Sequence, residues 1–134
     1  MDTIINCVAS IVGTNDVSGK VIFTQRVCGS SSQPASIEGR ILGLKKGEYS
    51  IAVHEFGDIS DYGAKTGDQF SPKGQSVGLM CHLDVKDPAE QLILNDKTSV
   101  TLIGPESVIG RSVVVRDKAG LIIGCGVIGI GNMH

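Results

Sequence analysis

His54, Glu55 and Asp58 close an apolar run, Ile51-Ala52-Val53-His54-Glu55-Phe56-Gly57-Asp58-Ile59-Ser60. An imidazole and two carboxylates at the end of a strand are the materials of a metal site. On a strand, residues i and i+2 share a face, so a second ligand beside His54 belongs at position 52, which is alanine. A second cluster is Cys81, His82 and Asp84. His82 and Asp84 share a strand face and Cys81 points the other way, so only two donors converge, fewer than zinc sites use. His134 is terminal. Cys7, Cys28, Cys81 and Cys125 are scattered with no CxxC pair, which fits reduced thiols in a cytosol-like compartment and small buried hydrophobes. Ser60 and Ser71 sit in loop sequence without a nucleophile elbow, so Ser-His-Asp catalysis is not expected.

The elements that position these residues read as strands. Runs rich in Val and Ile cover residues 5–11, 17–25, 36–41, 49–54, 77–85, 91–95, 99–103, 112–115 and 125–130, with turn residues between them. No stretch sustains a helical period. Residues 57–74 read as a long loop and 116–124 as a short link. The pattern predicts an all-β sandwich or barrel, one domain over residues 1–134. Hydrophobic content of 41% argues against disorder. A net charge of −2 with no basic run excludes an electrostatic footprint for nucleic acid or an anionic membrane surface. No apolar run is long enough to span a bilayer, and the N-terminus carries no signal-peptide pattern. The expectation is a cytoplasmic protein.

Several motifs occur in a fixed order. They are His54-Glu55-Phe56-Gly57-Asp58 with Gly67-Asp68-Gln69-Phe70-Ser71-Pro72, then Val108-Ile109-Gly110-Arg111-Ser112-Val113-Val114-Val115, then Gly124-Cys125-Gly126-Val127-Ile128-Gly129-Ile130. Together they resemble the copper/zinc superoxide dismutase family, whose active members carry HVHEFGD, GxHFNP, IGRxxVVH and ACGVIGIA in that order. Gly19-Lys20-Val21-Ile22-Phe23 resembles the family's second strand, and Leu42-Gly43-Leu44-Lys45-Lys46-Gly47 its turn before the HVH strand. The resemblance implies an immunoglobulin-like Greek-key sandwich or barrel of about eight antiparallel strands, with shortened metal and electrostatic loops.

The resemblance also says what is lost. The family's four copper imidazoles match Ala52, His54, Gln69 and Arg116, so His54 is the one remnant ligand. Alanine has no donor, glutamine is a poor copper ligand beside imidazole, and arginine stays charged. Gln69 also replaces the bridge to zinc. Gln69 and Arg116 are expected to occupy the vacated space, with Arg116 pairing with a carboxylate such as Asp68. The family disulfide joins Cys125 to a position that is Gly63 here, leaving Cys125 an unpaired, inert thiol. The electrostatic-loop arginine matches Ile122. The expectation is a pseudoenzyme with no catalytic residue and no resident cofactor, weak copper or zinc binding being left open. Phe56, Gly57, Ile109, Gly110, Ile128, Gly129 and Ile130 match the family's dimer surface, implying a homodimer, with the dismutase or its copper chaperone as further partners. The short chain and the Phe56-Gly57-Asp58-Ile59-Ser60 stretch look most like poxvirus superoxide dismutase homologues, for which the compartment is the virion or host cytoplasm. The alternative is a residual copper/zinc-binding dismutase using His54 and His82.

Overall fold

The computed structural model describes residues 2–14, 16–29 and 31–131, with the backbone alone for Asp2, Ser31 and Ser32; the expectation for His134 lies outside the described residues. The strands are β1 (Asp2–Gly13), β2 (Ser18–Cys28), β3 (Ser31–Ser32), β4 (Ser36–Leu42), β5 (Gly47–His54), β6 (Leu79–Val85), β7 (Gln91–Asn95), β8 (Ser112–Asp117) and β9 (Ile122–Ile130). They form one sheet in the order β6-β5-β8-β9-β1-β2-β4-β7, with the two-residue β3 beside β2. Every pairing is antiparallel. The eight longer strands curl into a nearly closed barrel. Across its open seam, between β6 and β7, Asn95 Nδ2 donates to the Met80 carbonyl at 2.8 Å. The chain passes from β4 to the far side of the sheet for β5, and again between β7 and β8, which is the Greek-key path.

Period-two alternation builds the core. Cys7, Ala9 and Ile11 of β1, Val21 and Phe23 of β2, Ile51 and Val53 of β5, and Val113 and Val115 of β8 all point inward and are buried. The opposite faces of β5 and β8 are therefore free to carry a site.

Two sequence expectations are corrected. Residues 99–103 are not a strand. This segment pairs irregularly: Ala35 N donates to Val100 O at 2.8 Å and Val108 N to Thr101 O at 3.0 Å. Val100 N and Ile103 N donate to the Thr98 and Thr101 hydroxyls, and Leu102 N is served by Gln25, which is only 1% exposed. Gln25 Oε1 accepts from Leu102 N at 2.6 Å, and Gln25 Nε2 donates to Gln33 O at 2.8 Å and to Thr101 Oγ1 at 3.1 Å. A side-chain amide thus does what a neighbouring strand would otherwise do. Nor is 116–124 all link. β8 runs to Asp117 and β9 starts at Ile122. The turn between them is held by Asp117 N to Leu121 O at 3.0 Å and Leu121 N to Asp117 Oδ1 at 2.9 Å.

Replacing Gln25 with alanine strands buried groups on two loops. We expect a loss of about 2–4 kcal/mol, read in urea denaturation as a lower midpoint with an unchanged slope.

Candidate functional site

On β5, alternation sends Ser50, Ala52 and His54 to the outer face. In register beside them on β8 lie Arg116 opposite Ser50, Val114 opposite Ala52, and Ser112 opposite His54. This outer wall is not left to solvent. Residues 55–78 fold back over it and are bonded to the end of β5. Glu55 N donates to Asp68 O at 3.0 Å and Phe56 N to Thr66 O at 2.9 Å. Phe70 N donates to Val53 O and Val53 N to Gly78 O, both at 2.8 Å. Asp68 N donates to Glu55 Oε1 at 3.0 Å.

Arg111 locks the arrangement. Its guanidinium donates to Glu55 O at 2.8 Å and to Ser107 O at 3.1 Å, and lies 4.0 Å from the centre of the Phe70 ring. Arg111 carries no site motif of its own in the sequence. Its signal is a lone cation inside the apolar run Val108–Val115.

Under this roof His54 is 2% exposed. Its Nδ1–H donates to the Gly67 carbonyl at 2.9 Å, since a carbonyl can only accept, and that leaves Nε2 as a bare acceptor. Burial holds the imidazole below its ordinary pKa; the Gly67 bond opposes this and the nearby Arg116 charge adds to it. His54 is thus a neutral base with one free lone pair.

The other three positions of the expected copper set supply no partner for that lone pair. Ala52 ends at a methyl group. Gln69 bridges to His54 through backbone pairing, but its amide donates to Ser76 Oγ at 3.3 Å. Arg116 Nε is buried with no hydrogen-bond partner. The expected Arg116–Asp68 ion pair is absent among the described residues: the Asp68 side chain stays on the exposed side of the loop, and Arg116 Nε lies buried. Asp58 also turns away: its Oδ1 accepts Ser60 Oγ at 2.5 Å and Ser60 N at 3.1 Å, and these bonds hold its carboxyl below the ordinary range. Ser71 Oγ donates to Gln69 O at 3.3 Å. Neither serine is bonded to His54. One further polar group went unnoticed in the sequence: Ser112 Oγ, opposite His54, is buried and unpartnered.

His82 and Asp84 share the outer face of β6, as their spacing requires, in an open cleft of about 560 Å³ with Glu48, Ser50 and Lys118. His82 pairs in register with Ser50, four residues from His54 along β5, roughly 13 Å away. The two histidines are not brought together. Lys118 takes Glu48 at 3.2 Å. Cys81 turns toward the core, and burial pushes its thiol up to about 11. Among the described residues no group of three or more His, Cys, Asp and Glu is placed to hold a metal.

Cys125 is buried beneath the loop, and burial raises its thiol pKa, so it is largely protonated near neutral pH and a poor nucleophile. Gly63 lies directly over it. A Cβ at Gly63 would sit 3.3 Å from Cys125 Sγ, on a backbone with φ of +85°. Of the residues matched to the dimer surface, Gly57, Gly110 and the backbone of Ile128 come together. A Cβ at Gly57 would collide with the Gly110 carbonyl, and Gly110 N donates to Ile128 O at 2.8 Å. Phe56 and Ile130 are 57% and 79% exposed beside them. Ile128 departs from the expectation. Its side chain is 0% exposed and belongs to the core, because alternation on β9 points it inward. Only its backbone takes part in the patch.

A nearly closed Greek-key barrel with a histidine on its outer wall, roofed by a loop that also covers a cysteine, defines the class of β-barrels that build their site outside the barrel. Within that class, residues 17–128 match the copper/zinc superoxide dismutase (SODC) family model. The chain belongs to this family. The metals the family implies do not fit the residues present. One imidazole, a methyl, an amide turned elsewhere and a half-buried guanidinium do not make a copper site, and a guanidinium at the expected fourth position repels a metal ion.

Two outcomes are expected. A histidine with a depressed folded pKa contributes stability that is complete above the unfolded value, about 6.5, and is lost as pH falls toward the folded value. Stability should therefore fall below pH of about 6.5, and His54→Gln should flatten that part of the curve in denaturation series. Gly63→Cys, mildly oxidised, should form an intramolecular bond to Cys125, seen as a loss of two thiols by mass and alkylation. Retention of both thiols would place the loop elsewhere.

Proposed function

We propose that the protein is a degenerate, non-catalytic member of the dismutase family that works as a dimerising or interaction protein. The observation that carries this reading is the outer wall of β5 and β8, where Ala52, His54, Gln69 and Arg116 stand at the expected copper positions and offer one imidazole. A dismutase needs a redox metal and an attracting field for its anion. Here Arg116 holds a fixed charge at a ligand position, and the segment after β8 is reduced to a hairpin turn. The chain then acts as one dismutase-like domain over residues 1–134, without resident copper or zinc.

Its exposed feature is the patch of Phe56, Gly57, Ile109, Gly110, Gly129 and Ile130. Burial of Phe56 and Ile130 against a second copy favours a homodimer. The same surface suits an active dismutase subunit or its copper chaperone as partner. The shortened turn and the Phe56–Ser60 sequence support likeness to poxvirus-type homologues. Cys7, Cys81 and Cys125 are free thiols, which supports a reducing compartment such as the cytoplasm. Among the described residues no helix is long and apolar enough to cross a membrane.

The test is metal uptake. The protein is loaded with copper and zinc, freed of excess by gel filtration and analysed for both elements. We expect less than about one tenth of an equivalent of either. Near-stoichiometric copper that is lost in His54→Ala would overturn the reading and favour a residual dismutase.

A further inference from the structure

The outer face of β2, β4 and β7 is separated in the sheet from β5 and β8 by β9 and β1, away from the site described above. Registered partners arrange it in rows. Ile22, Glu38 and Leu94 make one row; Lys20, Arg40 and Leu92 make the next. Directly opposed residues share a face. Leu92 and Leu94 are 72% and 82% exposed. They stand on β7, a terminal strand of the sheet, whose sequence Gln-Leu-Ile-Leu-Asn carries no charge. Two leucines this exposed on adjacent rows of one sheet face argue that the face is covered.

The charges indicate by what. Glu38 lies in one row, and Lys20 and Arg40 lie in the adjacent row. Glu90 sits 3.7 Å from Arg40, with both side chains well exposed. The formal charges of these four cancel. A membrane surface would call for one sign, basic. An isologous contact instead needs a patch that carries its own complement. A twofold axis lying in this face between the two rows sets the acidic row of one copy on the basic row of the other. It also sets the Leu94 row on the Leu92 row. We propose that this face pairs with the same face of a second copy, as a contact separate from the patch around Phe56 and Ile130. Chains using both contacts would extend beyond a dimer.

The test is sedimentation velocity across a wide range of protein concentration, with circular dichroism to confirm folding. The wild type should form species larger than a dimer as concentration rises. Ile130→Asp, which disables the other patch, should still dimerise reversibly. In that background, Leu92→Thr with Leu94→Thr should lower the association constant about tenfold or more. Glu38→Arg should weaken association, and adding Lys20→Glu and Arg40→Glu should restore it, because the rows are then complementary with signs exchanged. The proposal is overturned if Ile130→Asp is monomeric throughout, if the threonine pair leaves association unchanged, or if the charge exchange fails to restore it. If Ile130→Asp has no effect on mass while the threonine pair dissociates the protein, this contact stands and the interface assigned under the proposed function fails.

Discussion

The Arg111 guanidinium touches three segments at once: the carbonyl of Glu55 at the end of β5, the carbonyl of Ser107 before β8, and the ring of Phe70 in the overlying loop. Much of the outer-wall structure depends on this contact. Charge-assisted bonds to carbonyls are stronger than neutral ones, and a cation over an aromatic face adds to them. With Glu55 and Phe70 held, the loop cannot lift from β5, and His54 stays buried. With Ser107 held, Gly110 stays against Gly57, and the exposed patch keeps its shape. A single side chain therefore ties the buried wall to the surface that a partner would meet.

The geometry of this wall rests on bonds within the chain. The Arg116 guanidinium lies near His54, and His54 is kept neutral by burial beneath the loop. The loop is held by backbone bonds along Val53, Phe70 and Gly78, none of which needs a ligand. The unpartnered Nε of Arg116 and Oγ of Ser112 are the cost of this arrangement. Buried polar groups without partners destabilise a fold, so the wall is sound in architecture but imperfectly satisfied in its polar detail.

Two faces of the barrel differ in kind. The Phe56–Ile130 patch is built from loops and the end of β9, and glycines let its segments approach closely. The β2-β4-β7 face is regular sheet, with the sign of charge alternating by row and a leucine at the β7 end of each. Loop-built patches tolerate change in outline, whereas sheet faces repeat with the pleat and lend themselves to symmetric contacts.

The strands from β1 to β9 were largely legible in the sequence, because inward alternation leaves a period-two trace wherever one face is buried. The side-chain chemistry at Ala52, Gln69 and Arg116 was legible too, since residue type alone decides whether an imidazole is present. The misread segment 99–103 has strand-like composition, but in place of a strand ladder it has isolated bonds to Ala35 and Val108 and to the side chain of Gln25, 76 and 77 residues away along the chain. No local pattern encodes such a partner. The fate of Arg116 was likewise beyond reach: a charge can be read from a letter, but whether it finds a carboxylate or a buried, unpaired place depends on which neighbours remain in water. Ile128 shows the same limit from the other side. Its motif placed it at a surface, and the inward phase of β9 put it in the core. Residue chemistry and strand period were determined by the sequence alone. Partners across long loops and the burial of individual polar atoms were decided only when the barrel closed, because both depend on distances between segments far apart in the chain.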